Sequence, residues 1–187
     1  MAVSGSTRRR GARLRLSLVI LAGTVLGAGP THGQPVEEYQ FKAAIIYNLT
    51  KFVEWPPEVL KSPTDSIAIC ILGESPIAGA LQRAVHGNQI EDRSLVLRQV
   101  SDAQQASRCQ ILFVPSARTR WRSVLNDLKA SGVLTVGEAD GFASDGGVVN
   151  LKTDGVKVRI QVNVEAAQRE GIKISSKLLS LAQIVKK

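Results

Sequence analysis

Four short and nearly continuous apolar runs alternate with helix-like segments, and this alternation limits the folds that the chain can adopt. The runs SIAICILG, SLVLRQV, CQILFVP and GVLTVG each have the length of a strand. A strand that is apolar at most positions is typical of a parallel sheet that helices cover on both faces. Together with the helix-like segments between them, the runs predict βαβ units with right-handed crossovers, and therefore an α/β fold with a mostly parallel sheet.

A different pattern follows in GGVVNLKTDGVKVRIQVN, where two further runs flank a turn sequence. Asp154-Gly155 is a strong hairpin signal, because both residue types tolerate the backbone of a tight two-residue turn. The segment therefore predicts an antiparallel hairpin at one edge of the sheet.

Two helices are predicted near the ends of the folded part. The first begins at Pro35 and ends at about Trp55, because the two prolines that follow cannot continue it. The last has Ser175 or Ser176 as its N-cap and closes the chain, with Lys186-Lys187 at its end. Shorter helices are predicted in PIAGALQRAV, in DAQQAS with Asp102 as N-cap, in ARTRWRSVLNDLKA before Gly132, and in VEAAQREG.

The first 33 residues have the pattern of an export signal. Five arginines precede LSLVILAGTVLGA, an apolar run of signal-peptide length that is short for a membrane span. We predict that residues 1–33 are a signal peptide, cleaved near Gly33, and that residues 34–187 form one exported domain. An uncleaved N-terminal anchor is the alternative.

The export segment also changes the interpretation of the charge. The chain has 24 Lys+Arg and 16 Asp+Glu, a net charge of +8. Five of the arginines and none of the acidic residues lie in residues 1–33, so the remainder carries 19 cationic and 16 acidic residues, or +3. This small excess, without a concentrated basic face, predicts that nucleic acid is not a partner.

The chain has two cysteines, Cys70 and Cys109, and both lie in the part that would be exported. In an oxidising compartment an even pair is first interpreted as a disulfide. The alternative is a free thiol that acts as a nucleophile or redox centre beside His86. A lone histidine next to a glycine turn is more often solvated, so we predict no catalytic residue and no enzyme activity.

Residues beyond the carboxyl ends of parallel strands are the expected ligand positions of an α/β sheet. Glu74 and Ser75 follow the first strand, but GESP has one glycine and no lysine, so it does not match a phosphate loop. Arg118 and Arg122 flank a tryptophan and are the better candidates for binding a small anion. Gly73, Pro115, Ser116, Gly137 and Glu138 are predicted to line the same edge.

The loop EADGFASDGG offers Glu138, Asp140 and Asp145 as ligands for a hard cation. Their spacing fits no calcium loop, and polar residues are common in any surface loop. The sequence also lacks the clustered histidines and cysteines that zinc requires. We therefore predict neither a metal nor a cofactor.

Several segments, taken in order, resemble the YfiR-like family. They are FKAAIIYNLTKFVEWP, ICILG, CQILFVP, VLTVGEADGFASDGGVVNL, VKVRIQVNVEAA and GIKISSKLLSLA. The resemblance covers nearly all of the chain after the export segment. Each segment alone is a weak match, and the match is specific because all of them occur in the family's order. It implies a periplasmic α/β domain, a Rossmann-like three-layer sandwich that represses a membrane-bound diguanylate cyclase by binding its periplasmic part.

The resemblance also carries expectations for single residues. Cys70 and Cys109 match the cysteine pair for which the family has a disulfide, whereas a second pair that some members have near DGG is absent. Gln161 stands where the family often has an acidic residue, which puts the same partner contact in doubt. Loss of the repression would raise cyclic di-GMP inside the cell.

Two hypotheses for the function follow. In the first, the chain binds the periplasmic region of a membrane-bound signalling protein through its late hairpin. The formation of a homodimer is an open question at this point. The alternative for the apolar members of that surface is that they only pack the core. In the second, the chain is a periplasmic module that binds a small ligand. The predicted partner-binding residues are Val149, Leu151, Gln161, Asn163 and Glu165.

Overall fold

A computed structural model describes residues 1–2, 34–117, 120–155 and 157–186. The chain divides into two compact units, Met1–Pro30 and Thr31–Lys187, and the fold described below is that of the second. The predicted signal peptide, apart from its first two residues, lies outside the described residues. No helix in the described part of the chain is both long and apolar enough to cross a membrane.

The second unit alternates helices with strands through most of its length. In chain order the elements are α1 (Gln34–Leu49), β1 (Val53–Glu54), β2 (Ile67–Leu72), α2 (Ala78–Val85), β3 (Gln89–Ile90), β4 (Arg93–Val100), α3 (Ala103–Ala106), β5 (Ile111–Val114), α4 (Trp121–Asp127), β6 (Leu134–Gly137), β7 (Val149–Asp154), β8 (Lys157–Val162), α5 (Val164–Arg169), β9 (Lys173–Ile174), α6 (Ser176–Leu181) and β10 (Gln183–Ile184).

Eight of the strands form one mixed sheet in the order β10-β8-β7-β6-β5-β2-β4-β3. Strands β4, β2, β5, β6 and β7 are parallel neighbours, while β7 pairs with β8 antiparallel as far as Asp154 and Lys157. Asp154 is therefore the last residue of β7, one position before the turn in which the sequence placed it. The short β10 then pairs parallel with β8 on its outer side. The α/β fold class, the mostly parallel sheet and the late hairpin are therefore confirmed.

The central strands are buried on both faces because the helices pack on two sides of the sheet. Alternate residues of β2 belong to different apolar clusters: Ile67, Ile69 and Ile71 to one, and Ala68, Cys70 and Leu72 to the other. Helices α1 and α2 cover the first face through residues such as Ile46 and Leu81. Helices α3 and α4 cover the second face through Ala106 and Trp121.

The first helix is shorter than its apolar pattern predicts, and the prediction that it reaches Trp55 is wrong. Helix α1 ends at Leu49, where the amide of Phe52 donates to the Leu49 carbonyl in a turn. Val53 and Glu54 then form β1, which pairs antiparallel with β9. The apolar spacing continued past the helix because Val53 is buried in the same core from an extended strand.

The C-terminal segment also departs from the prediction of a closing helix. Helix α6 begins after the predicted N-cap Ser175, whose hydroxyl accepts a hydrogen bond from the amide of Leu178 at 3.3 Å. The helix ends at Leu181, and Gln183–Ile184 become the outermost strand of the sheet. Pairing with β8 supplies backbone hydrogen bonds that the final helical turn would leave to water.

A disulfide joins Cys70 of β2 to Cys109, two residues before β5 begins. The two Cα atoms are 6.1 Å apart, and the residues are 0% and 2% exposed. The predicted pairing is therefore confirmed, and the alternative of a free reactive thiol is wrong. Within the second apolar cluster, the bridge links β2 to the segment that leads into the neighbouring strand β5.

Replacement of both cysteines by alanine is expected to lower the free energy of unfolding by about 4 kcal/mol in the chain-entropy model of loop closure. The bridge spans a sequence separation of 39 residues, and alanine leaves no buried hydroxyl behind. Urea unfolding followed by circular dichroism measures the change. The reduced wild-type protein serves as control, and its free energy of unfolding should fall by a similar amount. A fall below about 1 kcal/mol in both proteins would contradict stabilisation by the disulfide.

Candidate functional site

A polar cleft of about 430 Å³ lies where helix α1 approaches the carboxyl ends of β5 and β6. We call it the α1 cleft. Its floor and walls come from four parts of the chain, namely α1, the loops after β5 and β6, and strand β7. The charged and hydroxyl side chains that line it are Glu38, Tyr39, Lys42, Ser116, Glu138, Asp140, Lys152 and Thr153.

Lys42 lines the cleft and is almost inaccessible, with 4% of its side chain exposed. Its ammonium nitrogen is 2.6 Å from a carboxylate oxygen of Glu38, one helical turn earlier, and 2.6 Å from one of Glu138. Glu138 is 5% exposed and follows the last residue of β6. The buried lysine therefore joins α1 to the carboxyl edge of the sheet.

Hydrogen bonds hold the two carboxylates in place around the lysine. The second oxygen of Glu138 accepts from the amide of Ser116 at 3.2 Å and from its hydroxyl at 3.4 Å. The hydroxyl of Thr153 on β7 donates to Glu38 at 2.6 Å. Because each carboxylate has a donor besides Lys42, the cluster keeps its shape without a bound ligand.

The charges of the cluster are stabilised by one another. Burial alone would lower the pKa of Lys42, but its hydrogen bonds to Glu138 and Glu38 raise that pKa above the ordinary value. Burial alone would raise the pKa of Glu38, and the hydrogen bonds from Lys42 and Thr153 outweigh it, so the pKa is lowered. Burial and the nearby Glu138 raise the pKa of Tyr39. At neutral pH Lys42 is therefore cationic and Glu38 anionic.

The arrangement is suited to holding a small polar ligand and poorly suited to acid–base catalysis. A general base needs a pKa near the working pH, whereas the carboxyl group of Glu38 has a lowered pKa. Donors and acceptors of the ordered cluster, together with the exposed Lys152, face the cleft. Such preformed polar groups in a concave surface fix the orientation of a bound molecule.

The three acidic residues of the loop after β6 do not form a cation site together. Glu138 pairs with Lys42, Asp140 with Lys152 at 3.0 Å, and Asp145 with Arg122 at 2.6 Å. Within the described residues, no three His, Cys, Asp or Glu side chains come together in a way that could hold a metal ion. The alternative of a hard-cation site at these residues is therefore not supported by the geometry.

The residues predicted for small-anion binding have mixed outcomes. Arg118 lies outside the described residues. The guanidinium of Arg122 donates to Asp145 from two nitrogens, at 3.0 and 2.6 Å, and lies 4.2 Å from the centre of the Trp121 ring. Glu74 and Ser75 follow β2 as expected, with Glu74 exposed. Anion binding by these residues stays a prediction, and at Arg122 an anion would compete with Asp145.

The predicted partner surface on the late hairpin needs a correction. Val149, Leu151 and Asn163 are each 0% exposed, so they cannot contact a partner from the folded surface. The two apolar residues belong to the first core cluster, and the Asn163 side chain caps α5 by accepting from the amide of Ala166 at 2.9 Å. Gln161 is half-buried and Glu165 is exposed, and a role for these two stays a prediction.

Sequence reasoning found part of the α1 cleft and missed its buried lysine. Ser116 and Glu138 were placed correctly at the carboxyl edge of the sheet. Lys42 was passed over because a lysine within a helix is ordinarily solvated. The available signal was the Glu38–Lys42 pair at i and i+4, with Lys42 directly before the buried Ala43.

Comparisons with known proteins agree with this fold. A family model described as YfiR/HmsC-like matches residues 39–183. No protein of curated function matches the chain significantly. Among solved structures, an ABC domain in complex with L-Trp from Streptococcus pneumonia has a TM-score of 0.51 and 14% sequence identity. A conserved domain protein from Vibrio cholerae O1 biovar eltor has a TM-score of 0.52 and 12% identity.

Both likenesses concern the fold alone at such low identities. The alignments cover 79% and 80% of this chain, respectively, and 60% of each of the two solved chains. The chain thus spans less than two thirds of the length of these structures.

Substitution of Lys42 by methionine is expected to lower the free energy of unfolding by about 3–5 kcal/mol, because it leaves Glu138 buried without its cation. The double variant Lys42→Met/Glu138→Leu should regain most of that loss, since it removes the two most buried charges and leaves Glu38, which is 31% exposed and keeps its hydrogen bond from Thr153. Lys152→Met is the matched control, with an expected change under about 1 kcal/mol because its pair with Asp140 is exposed. Equal losses in the single and double variants, measured by urea unfolding, would rule out the ion pair as the cause.

The stability of the protein should fall as the pH drops below 4.5, the ordinary pKa of Glu38. The folded-state pKa of Glu38 is lowered, so its contribution is present above that value and is lost on acidification through the folded pKa. Glu38→Gln should flatten this acid limb in urea midpoints measured between pH 3 and pH 7. Glu37→Gln, an exposed neighbour on α1, should retain the wild-type curve; parallel curves for all three proteins would refute the assignment.

Proposed function

The chain belongs to the YfiR/HmsC-like family, and from this membership we propose that it regulates a membrane-bound signalling protein. In this proposal the chain is exported, resides in the periplasm, and binds the periplasmic region of its partner. The partner is a diguanylate cyclase or another membrane-bound signalling protein, and binding represses its activity inside the cell. The observation that carries the proposal is the family match across residues 39–183.

The charged residues of the chain support binding over catalysis. The buried charged residues of the α1 cleft hold one another in place, and Lys42 is paired with two carboxylates. His86 is exposed at the end of α2, and the two cysteines are joined in a disulfide and are not nucleophiles in that state. A protein that acts through its surface needs no nucleophile or base.

A second function, the sensing of a small periplasmic molecule, is favoured by the α1 cleft. The cleft combines about 430 Å³ of space with an ordered set of donors and acceptors at the carboxyl edge of an α/β sheet. The similar Streptococcus pneumonia structure was solved in complex with L-Trp, which is a reason to include amino acids among the ligands tested. Sensing and partner binding are compatible, because a ligand can shift the affinity for a partner.

Deletion of the gene is expected to raise intracellular cyclic di-GMP several-fold and to increase matrix production, because the repression is lost. Mass spectrometry of nucleotide extracts measures the change, and expression of the full-length chain from a plasmid should reverse it. A chain without residues 1–33 is the control, since it should stay inside the cell and leave the level high. Unchanged cyclic di-GMP after deletion, in growth phases where the chain is produced, would exclude the repressor function.

The sensing function is tested on the purified protein with amino acids and nucleotides in a thermal-shift assay. A ligand at 100 times its Kd stabilises the folded state by about 2.7 kcal/mol and raises the melting temperature. Lys152→Met should reduce the shift for a ligand of the α1 cleft while leaving the fold intact, because Lys152 lines the cleft through an exposed ion pair. Shifts that are equal in this variant would place the ligand elsewhere.

A further inference from the structure

Strand β8 has an open edge beside its first four residues. The outermost strand, β10, pairs with β8 only at Gln161 and Val162. In the described part of the chain no strand pairs with the outer side of β8 from Lys157 to Ile160. An open strand edge presents unpaired amide and carbonyl groups to which another extended chain can pair.

The direction of these backbone groups follows from the pairing at the covered end. The carbonyl of Val162 accepts from the amide of Val185 at 2.9 Å, so the peptide groups of Val162 point outward. In an antiparallel pair, successive residues direct these groups alternately to the two sides of the strand. Val158 and Ile160 therefore direct theirs outward, and pairing of β7 with β8 does not use them.

A groove of about 430 Å³ runs beside this edge. It is lined by Phe41 of α1 and by Lys157, Val158 and Arg159 of β8. Phe41 is 55% exposed, although it is a large apolar residue on a helix whose other face is in the core. An open edge and an exposed phenylalanine thus lie together.

The side chains of β8 form two rows of different chemistry. Lys157 and Arg159 are exposed on one face of the strand, while Val158 and Ile160 pack on the other face against the first core cluster. Arg159 is paired with the exposed Asp154, at 2.9 Å. A strand added along this edge would place alternate side chains beside the cations and beside the apolar row, where Phe41 lies.

We propose that this groove binds an extended segment of a partner protein, which adds to the sheet as a strand beside β8 and alternates acidic with apolar residues. The acidic residues lie beside Lys157 and Arg159, and the apolar residues cover Phe41 and Val158. Main-chain hydrogen bonds to Val158 and Ile160 supply affinity, and the two side-chain rows supply specificity. The inference rests on the proposed function, in which the chain binds another protein.

The charges favour such a segment over a second copy of the chain. Two copies joined edge to edge at β8 would bring Lys157 and Arg159 of both to one interface, and like charges opposite each other destabilise a strand pair. Lysine on an edge strand also discourages unspecific pairing. An edge that only had to avoid unspecific pairing would carry little exposed apolar surface. The exposed ring of Phe41 adds to that surface, so avoidance of pairing does not explain it.

The test uses the exported protein, residues 34–187, and a fluorescein-labelled octapeptide of alternating aspartate and valine. Fluorescence anisotropy should show saturable binding that Lys157→Glu/Arg159→Glu weakens about tenfold or more, because two attractions become repulsions. The octapeptide with lysine in place of aspartate should bind Lys157→Glu/Arg159→Glu more tightly than the wild-type protein. The matched control Lys61→Glu/Arg108→Glu changes the charge equally at exposed positions that do not line the groove, and should bind as the wild type.

A backbone variant separates strand addition from charge attraction. Val158→Pro removes an outward amide and leaves the β7–β8 pairing in place, a position where proline is compatible with a strand. It should bind the aspartate–valine peptide at least about tenfold more weakly, with circular dichroism verifying the fold. N-methylation of alternate peptide amides in the octapeptide is a second measurement, independent of the stability of the variant, and should also abolish binding.

Strand binding in the groove is excluded if the aspartate–valine peptide fails to bind the wild-type protein. It is also excluded if that peptide binds the charge-reversed variant as tightly as the wild type and the N-methylated peptide binds the wild type equally well. The deletion strain keeps this outcome distinct from failure of the proposed function. If expression of Lys157→Glu/Arg159→Glu in the deletion strain fully restores low cyclic di-GMP, the proposal that the groove binds the partner is wrong and the repressor function stands. If deletion itself has no effect, the repressor function is wrong, and the peptide measurements still decide whether the groove binds a strand.

Discussion

Strand β2 has no face toward water, and the rest of the molecule is arranged around that burial. All six of its residues are buried, and they contribute alternately to the two apolar clusters. A strand of this kind is stable only where parallel neighbours satisfy its backbone and helices cover both faces. The disulfide lies within the second cluster and joins β2 to the segment that enters β5.

Because the central strands of the sheet are closed on both faces, the carboxyl ends and the edges of the sheet are left for function. At the carboxyl ends, the buried Lys42 uses two carboxylates to hold α1 against the loop after β6, and the α1 cleft opens beside them. At one edge, β10 covers only the end of β8, and the groove beside Phe41 remains open. The two places share helix α1, since Lys42 lines the cleft and its neighbour Phe41 lines the groove.

The parts of the fold that depend on local pattern could be predicted from the sequence. Continuous apolar runs identified β2, β5 and β6, and Asp154-Gly155 identified the hairpin. The two-residue strands β1, β9 and β10 could not be predicted, because each exists only through a partner distant in the chain. The ends of α1 and α6 were misplaced for the same reason, since the residues after them pair as strands.

The candidate sites show a similar limit. An apolar residue in a strand does not reveal whether its face is covered, so Val149 and Leu151 were assigned to a surface although both are in the core. The role of Lys42 depends on Glu138, 96 residues away, and no local pattern connects them. The open edge of β8 depends on where β10 stops.

The central claim is that the exported chain acts by binding a membrane-anchored partner along the edge of β8. Its most direct test replaces Phe41 with the photoreactive p-benzoyl-phenylalanine in living cells and sequences the cross-linked peptides. The account predicts a cross-link from position 41 to an acidic–apolar segment in the periplasmic region of a membrane-anchored signalling protein, and none from the exposed control position Arg108. A cross-link from position 41 only to a second copy of the chain, or to the signalling protein only from position 108, would contradict it.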